Sequence, residues 1–207
     1  MTRTEPGSLS SPMPTLVSTL LALDVHYERD GDAIAAGVAF ETWTAAAPSA
    51  EFDVRIETPH AYEPGAFYKR ELPCLLRALD AFWGLPIAQD CVIEAIIVDG
   101  YVDLDANGRP GLGRHLYDAL DGRIALVGVA KTPFAGIGAD HAVLRGASAR
   151  PLFVTAAGLD LDAAKRAVIS MHGAHRIPTL LKRVDRLSRT GIDRIARACE
   201  GDPPASR

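Results

Sequence analysis

The sequence predicts an α/β fold with a mixed central sheet flanked by helices. Three observations carry that expectation. Three strand-like segments joined by short turns come first, as antiparallel neighbours do. Two short and nearly all-apolar runs follow, the pattern of parallel strands covered on both faces. Helical periodicity separates these groups and then fills the end of the chain.

The first three strands are expected at Leu20–Tyr27, Ala33–Thr44 and Glu51–Glu57. The turn E-R-D-G-D between the first two holds the Asp-Gly hairpin signal, and A-A-A-P-S-A between the next two is small and broken by Pro48. Leu72–Trp83 carries Leu72, Leu75, Leu76, Leu79 and Phe82 at helical spacing, with Pro73 tolerable in a first turn. Val92–Val98 and Ile124–Ala130 are the apolar runs. A Gly-rich loop and a short helix over Gly111–Leu120 lie between them. Strand-like pieces follow at His141–Arg145 and Leu152–Ala156, then helices at Leu161–Met171, Thr179–Ser188 and Ile192–Cys199. Residues 1–14 read as a flexible lead-in and 201–207 as a disordered tail, bracketing a single domain over 15–200.

The composition, 48% hydrophobic and 23% charged over 207 residues, is that of an ordinary globular protein. Cys74, Cys91 and Cys199 are scattered and form no C-x-x-C pair. That argues against a disulfide framework or a zinc site and for a reducing compartment. No apolar stretch is long enough for a bilayer, and the first residues lack the apolar centre of a signal peptide. A cytoplasmic monomer without a membrane partner is expected. The net charge of -4 is unevenly spread: residues 165–207 carry +6 and the remainder -10. A basic end can attract phosphate, though basic helices are also common solvated faces.

Asp24 is the most informative residue. It interrupts the apolar run V-S-T-L-L-A-L-D-V-H-Y, where an uncompensated carboxylate costs several kcal/mol. Asp99 closes the apolar strand A-I-I-V-D-G, and Glu71 opens the helix after Lys69 and Arg70. Each of these two has an ordinary alternative, a strand-end turn for Asp99 and the helix dipole for Glu71. Lys131 ends V-G-V-A-K, where its ammonium can face a developing negative charge or reach solvent. Asp185, in L-K-R-V-D-R-L-S, is explained equally by a helix-surface ion pair. Acids gathered from separate elements suit a hard divalent cation, which takes oxygen ligands. No P-loop, dinucleotide motif, G-x-S-x-G or H-E-x-x-H is present.

In chain order, L-D-V-H-Y, G-V-A-F, Y-E-P-G-A-F-Y-K-R-E-L-P, I-V-D-G, G-L-G-R-H-L, V-G-V-A-K and R-I-P-T-L-L-K-R-V-D-R-L resemble the endonuclease V family. The resemblance runs from about Leu21 to Ser188. It implies a ribonuclease H-like fold and Mg²⁺- or Mn²⁺-dependent cleavage of a phosphodiester 3′ to deaminated adenine (inosine) in DNA or RNA. It further implies that Asp24, Glu71, Asp99 and Lys131 are catalytic, and that Asp24, Glu71, Asp99 and Asp185 face the metal. Tyr62 would be the wedge that fills the gap left by an extruded base. Gly65, Phe67, Gly100, Gly111 and Leu112 would line the pocket for that base.

The chain departs from the family's D-G-x-G and following His, reading D-G-Y-V-D-L-D, with Val102 for the second Gly and Asp105 for the His. Asp105 is therefore expected to add a further acid to the metal site. Ala61 and Glu63 also depart from the usual flank of the wedge. Besides inosine cleavage, two functions stay open: a nuclease of this fold with another nucleic-acid substrate, and a binding protein impaired in cleavage. Three mutually repelling acids argue against the pure binder.

Overall fold

The computed structural model describes residues 16–29, 31–57 and 67–200, with the backbone alone for 193–200. Its sheet has seven strands in the order β3-β2-β1-β4-β5-β7-β6. These are β1 (Val17–Tyr27), β2 (Ala33–Phe40), β3 (Ala50–Ile56), β4 (Cys91–Asp99), β5 (Ala125–Ala130), β6 (Ala142–Val143) and β7 (Leu152–Ala157). Strands β1, β4 and β5 run parallel, while β2, β3, β7 and β6 are antiparallel to their neighbours. The mixed sheet expected from the sequence is present.

Helices α1 (Tyr68–Trp83) and α2 (Leu112–Ala119) cover one face, and α3 (Leu161–Ser170) and α4 (Thr179–Glu200) cover the other. The first face buries Leu21, Leu23, Ile96, Val98, Leu75 and Phe82. The second buries Leu20, Ala22, Ile97, Val129, Val184 and Leu187. Burial on both faces explains why β4 and β5 read as continuous apolar runs.

Several boundaries differ from expectation. β2 stops at Phe40 rather than Thr44, because Glu41–Thr44 turn back toward β3. α1 begins at Tyr68, where polar Lys69 and Arg70 hide the helical period. The piece at 141–145 pairs only through Ala142 and Val143. The last two expected helices are one element, interrupted at Gly191 with φ 66° and ψ 161°.

Strand β4 contains a bulge. Thr19 pairs with Ile93 but Leu20 pairs with Ala95, so Glu94 is an extra residue, and its carboxylate accepts from Ser18 Oγ at 2.7 Å. Cys91 and Ile93 face α1 and α2, whereas Ala95 and Ile97 face α4.

Candidate active site

The parallel strands bring the first residues of the site together by register. Leu23 pairs with Val98, so Asp24 and Asp99 are the next neighbours along β1 and β4. Asp24 follows Ala22 by two, Asp99 follows Ile97 by two and Lys131 follows Val129 by two, all on the face covered by α4. Lys131 Nζ donates to Asp99 Oδ2 at 2.5 Å and to Asp185 Oδ1 at 3.1 Å. Asp185 comes from α4, where Arg189 one turn later donates to both of its oxygens at 3.2 and 3.3 Å. Glu71 arrives from the opposite layer, in the first turn of α1, and is 9% exposed.

The electrostatics follow from this crowding. Burial, and then the negative charges of Asp24 and Asp99, push the Glu71 carboxyl up to about 8. Asp24 is also raised, first by burial, against the hydroxyl of Ser188 that donates to it at 2.6 Å. Burial opposes the charge on Lys131, but Asp99 and Asp185 outweigh it and raise the ammonium's pKa. Burial likewise opposes charge on Asp185, yet Arg189 and Lys131 hold its carboxyl below the ordinary range. Four acids thus face one lysine and one arginine.

A cavity of about 550 Å³ opens beside Glu71 and Asp99, lined by Phe67, Gly100, Gly111, Leu112, His115 and Phe134 among others. Gly100 has φ 132°, a backbone that side chains other than glycine's rarely adopt. At Gly111 a Cβ would run into the carbonyl oxygens of Tyr101 and Val102. At the cavity wall Tyr68 stacks on His115, with ring centroids 3.6 Å apart.

Asp105 is not brought to this cluster. Its carboxylate accepts from the main-chain N–H of Asn107 at 2.9 Å and of Arg109 at 3.1 Å, closing the tip of a loop whose sides meet at Asp103 and Pro110. It lines a separate recess with Asp103 and His141. The Asp-x-x-Gly turn Asp105–Gly108 claims the side chain locally. Tyr62 and Gly65 lie outside the described residues.

Sequence reasoning passed over Ser188 and Arg189. Both lie on the face of α4 that carries Asp185, at i+3 and i+4, and that spacing is the signal that finds them. Among the described residues, no group of three His, Cys, Asp or Glu side chains stands ready to hold an ion. Lys131 and Ser188 occupy oxygens that an ion would use.

No family model matches the chain. Endonuclease V of Streptomyces coelicolor is 30% identical over 210 residues, spanning 91% of this chain and 83% of that protein. The chain belongs to the endonuclease V family. It is accordingly an endonuclease. The crystal structure of endonuclease V from Streptomyces avermitilis superposes with a TM-score of 0.64 at 31% identity, over 92% of this chain and 86% of the other. That of Ciona intestinalis endonuclease V, in complex with a DNA containing an inosine, superposes with a TM-score of 0.70 over 86% of each chain. At 17% identity the second likeness concerns the fold. The fold is ribonuclease H-like, as in the other endonuclease V structures. Among the described residues no helix is long and apolar enough to cross a membrane.

Proposed function

We propose that this endonuclease V cleaves inosine-containing nucleic acid, DNA or RNA, at a phosphodiester 3′ to the deaminated base, and that it depends on Mg²⁺ or Mn²⁺. The observation that carries the reading is the meeting of four acids: Asp24 and Asp99 at the C-terminal ends of adjacent parallel strands, Glu71 from α1 beside them, and Asp185 from α4, joined to Asp99 through Lys131. The donor set fits a hard divalent cation, since every candidate ligand is a carboxylate oxygen, and burial first and the charges of Asp24 and Asp99 next raise the Glu71 carboxyl to about 8, a charge deficit that a cation would relieve. Asp24, Glu71, Asp99 and Asp185 would hold it. Bound there, it supplies Lewis acidity and charge neutralisation at the scissile phosphate.

The chain's own groups do the rest. Lys131, once its pairing with Asp99 loosens, offers an ammonium to the charge growing on the leaving oxygen. The adjoining cavity takes the extruded base between Phe67, Leu112 and the glycine backbone at 100 and 111. Extrusion costs a few kcal/mol, least where pairing is already weak, so part of the preference for inosine arises before the pocket is reached. By the family resemblance, Tyr62 would act as the wedge and Gly65 would belong to the base pocket. The inosine DNA seen with the Ciona protein supports the substrate.

The test is a panel of inosine, uracil, abasic and mismatched sites in DNA and RNA, with Mg²⁺, Mn²⁺ or a chelator, and with the product ends mapped. Cleavage of inosine strands alone, 3′ to the base and abolished by chelation, is the expected result. Cleavage at another lesion, or cleavage surviving chelation, overturns the proposal.

A further inference from the structure

Arg145 is 5% exposed, and no carboxylate pairs with it among the described residues. Its guanidinium donates instead to five main-chain carbonyls: Ile169 at 3.3 Å, Met171, Gly173 at 3.2 Å, His175 at 2.9 Å and Arg176 at 3.3 Å. The first belongs to the last turn of α3, and the other four to the segment that follows it. After α3 ends at Ser170, the chain runs without helix or strand until Thr179. Carbonyls in such a stretch need donors, and the guanidinium fork supplies them from a single side chain.

The segment so held presents Arg176. Its Nη2 donates to the carbonyl oxygens of Lys131 and, at 2.8 Å, of Pro151. Its Nε is buried and has no hydrogen-bond partner among the described residues, so the side chain gives up one donor to make these contacts. The location matters. The last β5 residue paired with β4 is Val129, and the last paired with β7 is Ala130. Lys131 therefore stands two positions beyond the ladder with β4 and one beyond the ladder with β7, where a strand end frays. Its side chain must nevertheless place Nζ between Asp99 and Asp185.

We propose that Arg176 is a positioning residue for Lys131: it replaces the missing ladder bond and fixes the backbone from which the active-site ammonium is aimed, and Arg145 fixes Arg176 in turn. This rests on the reading that Lys131 acts in cleavage. Arg176 touches no reacting atom in this assignment. Its effect passes through Lys131 alone.

That last point is open to a double-mutant cycle. Single-turnover cleavage of an inosine-containing duplex with Mg²⁺ is compared for the full-length protein and for Arg176→Ala, Arg176→Lys, Lys131→Ala and the Lys131→Ala/Arg176→Ala pair. Arg176→Ala lowers the rate about tenfold with substrate affinity unchanged within about twofold, Arg176→Lys restores part of it, and in the Lys131→Ala background Arg176→Ala costs less than about twofold. In the metal-free protein, acylation of Lys131 by an amine-directed reagent, read by mass spectrometry, speeds up severalfold in Arg176→Ala while other lysines keep their rates.

Equal losses from Arg176→Ala in both backgrounds, a loss confined to substrate affinity, or unchanged labelling of Lys131 overturns the proposal. Should Arg176→Ala not fold, Arg176→Lys carries the same cycle and the same labelling. If Lys131→Ala alone cleaves at the wild-type rate, the role of Lys131 in the proposed function fails and this inference falls with it. That single variant separates the two failures.

Discussion

Ser188 Oγ donates to Asp24 Oδ2 at 2.6 Å across 164 positions of sequence. The hydroxyl is fully buried, so no water competes for the carboxylate on that side. It favours the ionised form of Asp24 while burial disfavours it, and burial wins. Ser188→Ala removes the opposing influence. The Asp24 carboxyl then rises further and protons compete better with a cation. Divalent-ion affinity near pH 6.5 should fall about tenfold or more, given the usual worth of a hydrogen bond to a charged group, and the deficit should shrink at pH 9. Calorimetric titration with Mn²⁺ at both pH values checks this, and an unchanged affinity at pH 6.5 would place Ser188 outside the site's energetics.

Glu71 makes the metal-free protein sensitive to alkali. Its carboxyl is raised from an ordinary 4.5 to about 8, by burial first and by Asp24 and Asp99 next. Below the ordinary value both folded and unfolded states hold the proton, and no penalty exists. Between the two values the unfolded state releases the proton and the folded state keeps it. The unfolded state then binds fewer protons, and stability falls as pH rises. Above about 8 the whole penalty is present. One pH unit of displacement corresponds to about 1.4 kcal/mol, so the loss amounts to a few kcal/mol at most. Urea unfolding in chelator between pH 5 and 9 should show the decline, and Glu71→Gln should flatten it. A Gln variant with the wild-type slope would sink this assignment.

Asp24→Asn should separate stability from activity. It removes a buried charge that neighbouring acids disfavour, so the metal-free variant should melt at the same temperature as the wild type or slightly higher. Cleavage should drop about a hundredfold or more, as expected when an electrostatic element of a site is lost. Calorimetric melting and a cleavage assay on the same preparation give both numbers. Near-normal cleavage by the Asn variant would make Asp24 a structural residue.

Asp105 should behave as a loop residue. Asp105→Ala removes two hydrogen bonds to the main chain at Asn107 and Arg109, and should cost about 1 kcal/mol. Divalent-ion affinity should not change. Because Arg109 and Gly111 border the base cavity, substrate affinity should weaken modestly. Unfolding curves with Mn²⁺ and duplex titrations test the split. A marked loss of metal affinity would return Asp105 to the site.

Much of the fold was legible because burial on two faces leaves a plain trace. The apolar runs of β4 and β5 could hardly belong elsewhere, and an acid inside the run of β1 stood out for the same reason. Boundaries were less visible where the chain's local preference and its packing disagree. Trp43 and Thr44 favour strands, yet Glu41–Thr44 form the turn that lets β3 return. Asp185 and Ser188 could not be told from an ordinary helix surface, since nothing local says which side of α4 meets the sheet. Asp105 was placed by counting positions from Gly100, whereas its carboxylate closes its own loop. A loop closed by its own aspartate can redirect a side chain without altering that count.

The extra residue at Glu94 has a consequence five positions further on. Side chains along a strand alternate between two sides, so a single inserted residue acts as a parity switch for everything downstream. Before it, the odd-numbered residues of β4 look toward α1; after it, they look toward α4. Asp99 is odd. Were the strand one residue shorter here, its carboxylate would be turned into the apolar layer beneath α1, with Asp24 and Lys131 left on the far side of the sheet. Arithmetic at the quiet end of a strand thus decides which acids can meet at the other, and a single-codon deletion there would part Asp99 from Asp24 and Lys131 without touching any of the three.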